Sequence, residues 1–107
     1  MMVESWVEFC SVSDIPPGQR EVFDTDIASI IIFNVDGNFY AVENMCSHEE
    51  YELAEGDLNG CVLTCPKHGA TFDIRTGQHL TTPAYFPIKS FPVRIEAGIV
   101  QVLLNLQ

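Results

Sequence analysis

Polar and apolar residues change places in short runs along this chain, and turn-forming pairs punctuate them. Pro16-Pro17-Gly18, Asp36-Gly37, Asn59-Gly60, Thr76-Gly77 and Ala97-Gly98 each separate stretches rich in Val, Ile, Phe and Thr. Stretches of that composition, bounded by turn residues, read as strands. Asp36-Gly37 lies between ASIIIFNV and NFYAVEN. It predicts a type I′ hairpin, because both central residues of that turn need positive φ. Asn59-Gly60 repeats the device, with Cys61 opening the next strand. In the tail FPVRIEAGIVQVLL, Val93 and Ile95 alternate with Arg94 and Glu96, which predicts a last hairpin. No segment of a dozen residues carries a 3.6-residue period, and Glu49 to Gly56 holds a helical turn at most. The pattern predicts an all-β fold, an antiparallel β-sandwich or barrel.

Length and charge narrow the setting. A chain of 107 residues makes one small domain rather than two. The longest apolar stretch, Ile27 to Phe33, is interrupted by Ser29 and is too short to cross a bilayer. No basic region leads into an apolar one at the start, so no secretion signal is expected and the cytoplasm is the expected location. Five Lys and Arg against fifteen Asp and Glu give a net charge of −10. That excess disfavours nucleic acid and anionic membranes as partners. It suits solubility, and it steers the protein toward a basic partner surface.

Cysteine and histidine change the picture. Residues 46–68 read CSHEEYELAEGDLNGCVLTCPKH, so Cys46 and His48 form a C-x-H pair and Cys65 and His68 a C-x-x-H pair, with sixteen residues between them. Residues 44–83 hold all three histidines and three of the four cysteines. They read as a site-bearing insertion on a plain basal β scaffold of 1–43 and 84–107. Disulfide scaffolds have no need of histidine beside cysteine, and in a cytoplasmic protein metal ligation is the better reading. Cys10 and Cys61 are left over and read as small buried hydrophobes. His79, near the Thr76-Gly77 turn, reads as an ordinary polar residue.

In an extended segment Cys46 and His48 face one side. In the second loop Pro66 favours a turn that lets Cys65 and His68 converge, and Gly69 removes side-chain bulk behind them. Thiolate with imidazole suits zinc, copper or an iron–sulfur cluster. Structural zinc sites usually pair like ligands, as C-x2–4-C and H-x3–5-H. Mixed pairs make more sense for two irons, one taking both cysteines and the other both histidines.

With these residues laid out, the pattern resembles the Rieske [2Fe–2S] motif, in which two histidines replace two cysteines on one iron. CSHEEYELAEG is similar to the family's C-x-H-x4-L-x2-G, with Leu53 and Gly56 in place. CPKHGATFDIRTG is similar to its C-P-x-H-G-x-x-F-D-x-x-T-G, and TTPAYFPIKSFPV to the proline loop over the cluster and the strand after it. The resemblance implies one [2Fe–2S] cluster held by Cys46, His48, Cys65 and His68. An oxidised core of charge +2 with two thiolates is neutral, so it accepts an electron more readily than an all-cysteine site.

The resemblance also discriminates within the family. Respiratory Rieske subunits carry a second cysteine in each loop, joined as a disulfide; here stand Glu49, Glu50 and Tyr51, and Lys67, Ala70 and Thr71. High-potential members place Ser and Tyr hydroxyls where this chain has Ala70 and Phe72, which implies a potential at the low end of the Rieske range. The implied role is a soluble ferredoxin, not itself an enzyme. It would pass single electrons from a flavin-dependent reductase to the terminal oxygenase of a bacterial aromatic ring-hydroxylating dioxygenase. A monomer is expected. A nitrite-reductase small-subunit-like module and a zinc-binding β module are the alternatives. Glu49-Glu50 departs from the glycine common in such ferredoxins, and reads either as a solvated loop or as a docking element.

Overall fold

A computed structural model describes residues 3–47, 51–67, 69–81 and 86–106. The chain opens with β1 (Val3–Ser11) and a single 3-10 turn at Val12–Asp14, which Ser11 caps. Then follow β2 (Arg20–Asp24), β3 (Ser29–Val35) and β4 (Asn38–Glu43). Three short strands come next: β5 (Leu58–Asn59), β6 (Val62–Thr64) and β7 (Thr71–Asp73). The chain closes with β8 (Ser90–Phe91), β9 (Val93–Glu96) and β10 (Ile99–Leu106). They form three antiparallel sheets, ordered β1-β10-β9, β2-β3-β4-β8 and β5-β6-β7. Among the described residues no helix is long and apolar enough to cross a membrane.

β3 explains the architecture. Successive strand residues point to opposite faces. Ile30 and Ile32, with Ala41, pack toward Val100, Val102, Leu104 and Ile15. Ile31 and Phe33, with Val42, pack toward Leu53, Leu63, Phe72, Ile74 and Ile88. The β2-β3-β4-β8 sheet is therefore the middle layer, with the β1-β10-β9 sheet on one face and the β5-β6-β7 sheet on the other. Ile30 to Phe33 are all 0% exposed. The run IIIF does not alternate because a strand covered on both faces has no polar side to show. Each such buried side chain contributes about 1.5–3 kcal/mol.

The Asp36-Gly37 hairpin forms as the turn chemistry predicts, with φ of 52° and 92° and Val35 opposite Asn38. The next one differs by a residue. Asn59 pairs with Val62, so the turn residues are Gly60 and Cys61, and the strand begins at Val62 rather than at Cys61. This register sets Leu58 opposite Leu63, both packed into the core, and burial of one face outweighs turn preference in choosing it. The last hairpin turns at Ala97-Gly98, but Arg94, Ile95 and Glu96 are all exposed, because β9 is a sheet edge. On its outer face Arg94 Nε donates to Gln101 Oε1 (2.7 Å), Gln101 Nε2 donates to Glu8, and the Arg94 guanidinium sits 4.4 Å from the Trp6 ring centre.

Candidate metal centre

β4 delivers the chain to Asn44, a buried side chain at the neck of the first loop. The Asn44 N–H donates to the Ser29 carbonyl (2.8 Å) and its Nδ2 to the Ser29 hydroxyl (3.3 Å). Its Oδ1 accepts the Leu53 N–H at 2.8 Å. One step further in, the Cys46 N–H donates to the Tyr51 carbonyl at 2.8 Å. The loop is thus drawn shut at Cys46, which is 2% exposed. Beyond it, the Gly56 N–H donates to the Leu53 carbonyl in a single hydrogen-bonded turn, with no helix among the described residues where a helical turn at most is expected. Arg20 grips that turn from the middle sheet, its Nη1 donating to the Ala54 and Gly56 carbonyls (3.0 and 2.7 Å) above the Phe33 ring.

The second loop joins β6 to β7. The Cys65 N–H donates to the Ala70 carbonyl (2.7 Å), and the Gly69 N–H to the Cys65 carbonyl (3.0 Å). Cys65 is 1% exposed. Gly69 has a role other than the expected relief of bulk: a Cβ there would meet nothing within 4 Å among the described residues, but the turn holds φ at +75°. Asp73 at the base accepts from Arg75 Nε and Nη2, and that pairing holds its carboxyl below the usual range.

Cys46 and Cys65 fall into one buried cluster with Leu53, Leu63, Ala70, Phe72, Ile74 and Ile88. Two loops from different parts of the chain therefore bring their thiols into one dry, apolar environment. That donor set fits a thiophilic metal group shielded on its inner side. His48 and His68, the imidazole half of the expected set, lie outside the described residues, as do Glu49 and Glu50. Residues 82–85 of the proline segment lie outside them too, but its described flanks are tied to the ligand loops. The Ser47 hydroxyl donates to the Phe86 carbonyl, and the Thr81 hydroxyl accepts the Thr71 N–H at 3.1 Å.

The leftover residues take lesser places. Cys10 and Cys61 are half-buried and in no disulfide, each packed against a different core. Burial pushes the Cys10 thiol up, and Asp14 and Glu21 add to the effect. His79 bridges Phe72, its Nδ1 buried without a hydrogen-bond partner among the described residues. Asn44, Arg20 and Tyr51 carry structural duties at the loops that their residue types alone do not announce.

The fold and the two thiol-bearing loops, one joining β4 to β5 and the other closing the β6-β7 hairpin, define a small β protein that brings two cysteines together in one core. The chain belongs to the Rieske [2Fe-2S] domain family, whose model matches residues 5–92 and so includes all four expected ligand positions. It is 39% identical over 99 residues to the biphenyl dioxygenase ferredoxin subunit of Pseudomonas sp. (strain KKS102), covering 92% of this chain and 91% of the relative. It is 40% identical over 90 residues to the 3-phenylpropionate/cinnamic acid dioxygenase ferredoxin subunit of Escherichia coli (strain K12), covering 83% of this chain and 84% of the relative. A chain in the complex of reduced oxygenase and oxidized ferredoxin in carbazole 1,9a-dioxygenase superposes with a TM-score of 0.85 at 35% identity, covering 91% of each. The group implied by the family is a Rieske-type [2Fe–2S] cluster.

Ala70 and Phe72 are both fully buried in the thiol cluster, and Ala70 is bonded to Cys65 through its carbonyl. The family resemblance places the sulfur-bonding hydroxyls of high-potential members at these two positions, and hydrogen bonds to sulfur favour the reduced, more negative state. Ala70→Ser and Phe72→Tyr are each expected to raise the midpoint potential in protein-film voltammetry. A downward shift in both refutes this account of the potential.

Proposed function

We propose that this chain is a Rieske-type ferredoxin that carries single electrons from a flavin-dependent reductase to the terminal oxygenase of an aromatic ring-hydroxylating dioxygenase. In this reading Cys46 and Cys65 hold one iron, and His48 and His68 the other. When bound, the cluster supplies a one-electron couple. The protein's own residues do the rest. Leu53, Leu63, Phe72 and Ile74 exclude water from the thiol side, and the hydrogen bonds at Asn44, Tyr51 and Ala70 hold the loops in place. The acidic surface speeds encounter with basic patches on each partner. Residues 44–83 serve as the cluster-binding subdomain, and a cytoplasmic monomer suits a carrier that meets two partners in turn.

The observation that carries this reading is the burial of Cys46 and Cys65, one from each mixed loop, in a single core. The relatives, named as ferredoxin subunits of dioxygenases, support the choice of partners. The purified protein is expected to be brown, with two irons and two sulfides, and to show a Rieske-type EPR signal after dithionite. Product formation from an aromatic substrate is expected only when reductase, this protein and oxygenase are combined. A colourless zinc protein sinks the ligand assignment; a loaded cluster that no flavoprotein reductase reduces sinks the electron-donor half alone.

A further inference from the structure

Tyr51 touches both ligand loops. Its carbonyl accepts the Cys46 N–H at 2.8 Å, and its ring centre lies 5.3 Å from the Lys67 ammonium, which stands between Cys65 and His68. Between residues 46 and 68 Lys67 is the only Lys or Arg, against Glu49, Glu50, Glu52, Glu55 and Asp57. Those carboxylates oppose the arrival of an electron, and one nearby cation favours it. Where that ammonium rests therefore bears on the potential. A covalent tie between the loops is not open to this chain, because residues 46–51 and 65–71 hold one cysteine each. The face of an aromatic ring attracts an ammonium, and Tyr51 offers that face from the opposite loop.

We propose that Tyr51 is a positioning residue that latches the two ligand loops through Lys67 and holds its charge beside the cluster. The latch rests on the ligand assignment proposed above. It has two consequences: the reduced state is favoured, and the loops part less readily when the cluster is lost. The phenolic hydroxyl plays no part, so a bare ring suffices.

The test uses the loaded protein and four variants, Tyr51→Phe, Tyr51→Leu, Lys67→Met and the Tyr51→Leu/Lys67→Met pair. Midpoint potential is read by voltammetry, and cluster loss by the decay of visible absorbance with an iron chelator present. Tyr51→Phe is expected to match the parent. Tyr51→Leu and Lys67→Met are expected to lower the potential and to speed cluster loss about two- to fivefold, the factor that a cation–π contact at an exposed site supplies. The double variant is expected to match Lys67→Met. The idea is overturned if Tyr51→Leu lowers the potential by the same step with or without Lys67, or if Tyr51→Phe behaves as Tyr51→Leu. Lys67 is exposed, so Lys67→Met decides the matter even where a Tyr51 variant folds poorly: parent-like potential and decay overturn the latch. A parent that loads no iron overturns the ligand assignment, and the latch with it; a loaded parent indifferent to both residues overturns the latch alone.

Discussion

Gly77→Ala is expected to destabilise the protein by roughly 2–5 kcal/mol and to sharply lower its iron content, the sum of a left-handed backbone penalty and an overpacking cost. Gly77 holds φ at +82°, and a Cβ built there lies 2.1 Å from the Ile88 carbonyl oxygen. The clash is with backbone, so no rotamer relieves it. The surrounding hydrogen bonds prevent the chain from yielding cheaply. The Gly77 N–H donates to the Asp73 carbonyl at 2.7 Å, and its own carbonyl accepts the Ile88 N–H at 2.9 Å. Those two bonds pin the turn after β7 to the segment entering β8, and Ile88 belongs to the core that contains both thiols. A shift at Gly77 therefore reaches the ligand loops. Gly37→Ala is the control: φ is +92°, but nothing lies within 4 Å of the added Cβ. It is expected to cost about 1–2 kcal/mol and leave iron content unchanged. Urea unfolding midpoints and iron assays check both; equal costs for the two variants would falsify the close-approach argument.

The readable parts of the fold are those written in local chemistry. Asp36-Gly37 names its own turn, and the C-x-H and C-x-x-H pairs are contiguous enough to identify the family before any coordinates. What the sequence hides depends on contacts far along the chain. The run IIIF is equally compatible with a strand facing one core or two, and only the arrival of Val100 and Val102 on one side and of Leu63 and Phe72 on the other makes β3 the middle layer. Asn59-Gly60 looks like a better turn than Gly60-Cys61, yet the pairing of Leu58 with Leu63 decides the register. Arg20 is 34 residues from the carbonyl of Ala54 that it holds, and nothing at position 20 announces that partner. Tyr51 and Lys67 are each unremarkable in sequence, and they matter through the meeting of their two loops.

Asn44 is a further residue whose role only the assembled structure reveals, and its loss is expected to have the second large effect. Asn44→Ala removes the acceptor of the Leu53 N–H and the bond to Ser29, at a position 4% exposed. A buried donor left without a partner costs about 1–3 kcal/mol, and a small cavity adds to it. The loss is not spread evenly over the molecule. The Asn44–Leu53 bond closes the neck of the first ligand loop, directly outside the Cys46–Tyr51 bond. Without it, that loop opens at far lower free energy than β3 or β10, whose backbones are held in ladders on both sides. Hydrogen exchange is therefore expected to quicken at the Leu53 and Cys46 amides while those of Ile31 and Val102 stay protected, and the cluster is expected to be lost faster. Asn44→Asp keeps an oxygen facing Leu53 and is expected to fall between parent and Ala, whereas Asn44→Leu fills the space without an acceptor and is expected to open the loop as Ala does. Uniformly faster exchange across both cores in Asn44→Ala would mean that Asn44 supports the whole fold and not the loop.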